Sequence, residues 1–84
     1  MTVIYTHEMC RLAEKLDKPL SVRRDENANK FCVSIENVVY KEKHLRRNIS
    51  GTGFTLEDAC YNFFMKAKGG ELENYITNKV IDVI

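Results

Sequence analysis

Gly51-Thr52-Gly53 stands directly ahead of an amphipathic segment, and this is where the sequence most openly offers chemistry. Glycines before a helix let backbone N–H groups approach an anion at the positive end of the helix dipole. Gly51, Thr52, Gly53 and Thr55 are therefore candidate anion-binding residues. Three features count against a phosphate loop. The third glycine of the dinucleotide fingerprint falls at Leu56, no Lys-Ser/Thr pair follows, and Glu57 and Asp58 already occupy the positive end. A strand-to-helix turn is the plainer reading of the two glycines.

His7 and Cys10 lie three residues apart, so one helical face can carry both, and Cys32, Cys60 or His44 would have to complete a tetrahedral metal site. No Cys-x-x-Cys pair supports that set, and neither a metal nor a cofactor is expected. Nucleophilic catalysis needs a cysteine or serine beside a histidine, with a third group to orient it. Cys32 with His44 is a pairing offered by composition alone, so no enzyme activity is expected. Cys10 and Cys60 read as small core residues.

Lys41, Lys43, His44, Arg46 and Arg47 form a basic run, and Arg23 and Arg24 are expected beside it across a sheet. Such a cluster in a loop and on the solvent face of a strand can contact phosphates, and these seven residues are the candidate nucleic-acid or partner-binding set. Glu36 and Glu42 are interspersed with it, so a solvated surface is the bland alternative. Tyr40, Tyr61 and Tyr75 are further candidates for a binding surface, though tyrosine is also an ordinary rim-of-core residue.

The elements that must position these residues are legible from periodicity. Thr6 is placed to cap a helix in which Met9, Leu12, Ala13 and Leu16 recur at helical spacing, and Pro19 forces its end near Asp17. From Leu20 the period changes to two: Leu20 and Val22 alternate with polar residues. A polar turn spans 25–29, and Phe31, Val33 and Ile35 then share one face of a strand. The chain bends near Asn37, Val38 to Tyr40 extend the sheet, and Leu45, Arg47 and Ile49 resume alternation.

Thr55 with Asp58 resembles a capping box, and Phe54 sits where a hydrophobic staple would reach Ala59. Leu56, Ala59, Cys60, Phe63, Phe64 and Ala67 then give a broad apolar stripe, which Gly69-Gly70 terminates. The segment 71–84 fits helical spacing at Leu72, Ile76, Val80 and Val83, but its β-branched residues favour a strand over Val80 to Ile84. The expectation is a single α+β domain over 1–84. It would have an antiparallel sheet of three to four strands with both helices on one face, in the order α-β-β-β-α-β.

Composition limits the function classes. The chain has 84 residues, 44% of them hydrophobic and 30% charged, and 13 basic against 12 acidic side chains give a net charge of +1. No global field draws it to nucleic acid or an anionic membrane. One small core is all it can build, so association with a second copy would help its stability. An odd set of three cysteines reads as reduced thiols, and the expected location is the cytoplasm.

The order α-β-β-β-α over 6–68, with Gly-x-Gly-x-Thr at the entry to the second helix and Ala59 inside it, resembles double-stranded RNA-binding domains. Their second helix opens with a lysine-rich pattern that grips phosphates. Here Leu56-Glu57-Asp58 and Cys60 stand in those places, so the resemblance implies architecture and carries across no RNA-binding residue. The stretch Gly51 to Ala67 is also similar to the Gly-x-Thr-x-Glu-Ala segment of HicB-type antitoxins. In size, helix-first layout and the Thr-x-Glu-Asp-Ala-Cys opening, the chain resembles small uncharacterised proteins of phages and mobile elements.

The expected function is a non-enzymatic binding module, an accessory protein of a phage or mobile element that binds a host protein or itself as a homo-oligomer. The alternative is a nucleic-acid-binding domain acting through 41–47.

Overall fold

Met9, Leu12, Ala13 and Leu16 line the buried side of α1 (Tyr5–Lys15) in the computed structural model, which describes residues 3–83. Ile4, not Thr6, takes the cap position, and it brings no side-chain oxygen. Thr6 is displaced from that role because a carboxylate on the second helix, Glu57, accepts the leading N–H groups instead. The other end closes near Asp17 as its sequence implies. Lys18 N–H donates to the Ala13 carbonyl at 3.0 Å and Asp17 N–H to that of Glu14 at 3.1 Å, while Asp17 turns left-handed at φ 55°.

The fold is α+β, with two helices and two antiparallel sheets among the described residues. β1 (Leu20–Asp25), β2 (Lys30–Ile35) and β5 (Gly51–Gly53) form a three-stranded sheet in the order β1-β2-β5. β3 (Val38–Glu42), β4 (Leu45–Arg47), β6 (Glu71–Asn74) and β7 (Lys79–Asp82) form a four-stranded one in the order β4-β3-β6-β7. The strands thus divide between two sheets where one was expected. β2 and β3 are separated only by Glu36 and Asn37, yet they do not pair with each other. Asn37 adopts a left-handed φ of 58°, and its carbonyl and side-chain oxygens accept from the N–H and hydroxyl of Tyr75, which turns β3 away to pair with β6.

α2 (Leu56–Ala67) starts as Thr55 predicts: the Thr55 hydroxyl accepts the Asp58 N–H at 3.0 Å. The staple does not form. Phe54 is 68% exposed, with the Lys30 ammonium 5.4 Å from its ring centre. Ala59, Cys60, Phe63 and Ala67 are buried against the three-stranded sheet and α1.

The segment after α2 is a hairpin of two strands, β6 and β7; Ile84, expected to end the last strand, lies outside the described residues. The helical spacing there was coincidental. Leu72 faces the core, Ile76 is 63% exposed in the turn, and Val80 lies on the outer side of the sheet. A single apolar cluster joins Met9 and Leu16 of α1, Val33 of β2, Tyr40 of β3, Phe63 of α2 and Leu72 of β6, so both sheets and both helices share one core. Among the described residues no helix is long and apolar enough to cross a membrane.

Candidate functional site

The basic residues separate according to the two sheets. Arg23 and Arg24 lie on β1, which among the described residues pairs only with β2, so they are not beside the 41–47 run across a shared sheet, as the sequence had implied. Lys41 and Arg46 are direct cross-strand neighbours on β3 and β4. Both reach towards one carboxylate, with Glu73 Oε1 at 3.7 Å from Lys41 Nζ and 3.4 Å from an Arg46 nitrogen. That oxygen is buried and accepts no hydrogen bond, so the contact is ionic only. The Arg47 guanidinium lies 5.8 Å from the Tyr40 ring centre, and Lys43 and His44 form the exposed β3–β4 turn.

Tyr40 is almost wholly buried, and its hydroxyl donates to Glu42 at 2.6 Å. That hydrogen bond, with burial behind it, holds the phenol above its ordinary pKa. Tyr61 and Tyr75 are exposed and lie apart: Tyr61 meets Tyr5 edge to face at 5.0 Å, while Tyr75 holds Asn37. The three tyrosines do not form a common surface.

The two glycines of the 51–53 motif are explained by packing. A Cβ on Gly51 would fall 2.1 Å from the Ala59 carbonyl oxygen, and one on Gly53 would fall 2.7 Å from the Ala59 nitrogen. β5 therefore lies directly against α2, and only glycine permits that approach. Thr52 is exposed on this strand, and the Thr55 hydroxyl is engaged in its own helix cap. The acid at the start of α2 is also engaged. Glu57 accepts from the Thr6 hydroxyl at 2.6 Å and from the backbone N–H groups of Tyr5 and Thr6, and these bonds hold its carboxyl below the usual glutamate range.

Cys60 is buried, and desolvation raises its thiol pKa. Cys10 is exposed, which corrects the expectation that it belongs to the core. Among the described residues no three His, Cys, Asp or Glu side chains gather where they could hold a metal ion. Cys32 lies on the three-stranded sheet and His44 in a turn of the four-stranded one.

The surface that does bring charge and aromatic groups together was missed in the sequence. A groove of about 530 Å³ runs past the β1–β2 hairpin, and its lining includes the cations Arg23, Arg24 and Lys30, the acid Asp25, and Phe31 and Cys32. The Arg24 guanidinium lies 5.6 Å from the Phe31 ring centre, directly opposite in the β1–β2 register, and Lys30 reaches over Phe54. One cation, Arg24, is thus held over an aromatic face beside β1, a six-residue strand at the edge of its sheet, while Lys30 and Phe54 pair on the β5 side of β2. Arg24 and Phe31 become neighbours because Asp25 pairs with Lys30 around a 26–29 loop, one residue shorter than the turn read from the sequence. No protein-family model, curated protein or solved structure matches this chain.

Proposed function

We propose that this chain is a small non-enzymatic binding module that takes an extended, acidic segment of a partner protein along the free edge of β1. The observation that carries the reading is the groove beside the β1 edge, where Arg23, Arg24 and Lys30 outnumber the one acid, Asp25, and Arg24 is steadied over Phe31. An edge strand presents unpaired N–H and C=O groups, to which an added strand contributes main-chain hydrogen bonds. Flanking side chains then select its sequence. Arg23 and Arg24 point to opposite faces of β1, so alternate acids on an incoming strand would meet one or the other.

A nucleic-acid partner is the second reading, and the exposed Phe54 ring beside Lys30 favours a single strand over a duplex. The 41–47 segment gives it less support, because Lys41 and Arg46 share Glu73 and Arg47 packs on Tyr40.

The test is affinity capture with the wild-type chain and with Arg23→Glu/Arg24→Glu as baits, followed by cross-link mapping of what is retained. A protein lost from the double reversal, and cross-linked to β1 in the wild type, supports the reading. Identical capture by both baits rejects it. Retardation of single-stranded RNA or DNA that falls steeply with salt would transfer the site to nucleic acid.

A further inference from the structure

The outer face of the four-stranded sheet carries its charge in two blocks. Arg46 of β4 lies opposite Lys41 of β3, Lys41 opposite Glu71 of β6, and Glu71 opposite Asp82 of β7. Across the sheet the row therefore reads basic, basic, acidic, acidic. Like charges directly opposite one another destabilise a sheet, and this row contains such a pair at each end. Glu73 relieves the basic pair in part, since its Oε1 lies within ionic range of both cations while accepting a hydrogen bond from neither. No ion pair among the described residues engages Glu71 or Asp82, both of which are exposed. Val80 lies 43% exposed on the same face.

We propose that this face binds a second copy of the chain across a two-fold axis parallel to the strands, between β3 and β6. Rotation about that axis sets β4 and β3 of one copy over β7 and β6 of the other. Arg46 and Lys41 then meet the partner's acidic pair, and the acidic pair meets the partner's cations. A two-fold axis across the strands would instead set like charge over like, so the pattern selects one of the two simple packings. Facing sheets stand about 10 Å apart, a gap that a lysine or arginine meeting a carboxylate can span. Four strands about 4.8 Å apart offer less than the roughly 800 Å² per partner of a stable interface. The dimer is therefore weak and salt-sensitive. It is independent of the β1 groove.

Sedimentation analysis at high protein concentration tests this directly. From about 10 mM to about 1 M salt the screening length falls from about 30 Å to about 3 Å, and the wild-type chain is expected to pass from dimer to monomer. A monomer throughout, or a dimer indifferent to salt, overturns the proposal.

Charge reversal supplies the second arm, with circular dichroism confirming that each variant is folded. Lys41→Glu/Arg46→Glu and Glu71→Lys/Asp82→Lys are each expected to be monomeric alone at low salt and to form a one-to-one heterodimer when mixed. Failure of the mixture to associate overturns the pairing. Arg23→Glu/Arg24→Glu is expected to leave the dimer unchanged, so failure of the groove reading and failure of this one give different results.

Discussion

Glu57 and Thr6 join the starts of the two helices: one carboxylate oxygen accepts both the Thr6 N–H at 2.9 Å and the Thr6 hydroxyl at 2.6 Å. The other oxygen accepts the Tyr5 N–H. One acid thus caps α1 from a distance while favouring the first turn of its own helix. Because the Thr6 hydroxyl and these backbone donors depress its pKa below the ordinary value of about 4.5, its contribution is complete above that pH. The contribution is lost as pH falls through the folded value. Glu57→Gln is expected to lower the melting midpoint at neutral pH, with a gap to the wild type that closes below pH about 4.5. Melts followed by circular dichroism across that range check it; a gap independent of pH would reject the charged cap.

Gly51 and Gly69 predict opposite outcomes for the same substitution. An alanine at 51 places its methyl against the Ala59 carbonyl and the Phe63 nitrogen, which are backbone atoms that cannot swing aside. Gly51→Ala is expected to cost about 3 kcal/mol, at the upper end of overpacking effects. Gly69 has open space around its missing Cβ but sits at φ 85°, so Gly69→Ala should cost about 1 kcal/mol from backbone strain alone. Urea unfolding of the two variants side by side decides the order.

Both helices could be read from the sequence because each apolar stripe met a matching stop, Pro19 after α1 and Gly69-Gly70 after α2, whereas the helical spacing from Leu72 to Val83 was outweighed by β-branched residues. Phe31, Val33 and Ile35 announced β2 by their alternation. The division into two sheets could not be read, since it depends on which strands pair at long range. β3 finds β6, contributed from beyond α2, and Asn37 at left-handed φ permits the turn away from β2. Thr6 failed as a cap because a tertiary partner outcompeted its local geometry. At the candidate site, Arg23 and Arg24 were visible as charge. Phe31 as the neighbour of Arg24 emerged only with the hairpin register, and Phe54 as that of Lys30 only with its ring turning outward.

The cysteines should separate by reactivity. Cys10 is exposed on α1, Cys32 is half-buried beside the groove, and Cys60 is buried with a raised pKa that leaves little thiolate near neutral pH. A limiting dose of iodoacetamide is expected to label Cys10 first, Cys32 more slowly and Cys60 only when the chain unfolds. Peptide mass spectrometry reads the order, and early labelling of Cys60 would contradict the packing of α2 against its neighbours.

Asn74 is fully buried, and both ends of its amide are used: its nitrogen donates to the Leu16 carbonyl at 2.6 Å, and its oxygen accepts the Ile76 N–H at 3.0 Å. It thereby ties the β6–β7 turn to the end of α1. Asn74→Leu keeps similar bulk but leaves those backbone groups without partners, and should cost about 2–4 kcal/mol. Asn74→Asp adds a pH dependence of known sign. Its protonated form can still donate to Leu16, whereas the carboxylate repels that carbonyl, so the folded pKa rises above the unfolded value of about 3.9. The charge penalty is absent below the unfolded value, grows as pH rises and levels off above the folded one. Urea unfolding of this variant from acid to neutral pH should therefore show stability relative to the wild type falling with pH. A constant difference would mean that the side chain escapes to water, and that the link between hairpin and helix is weaker than the geometry implies.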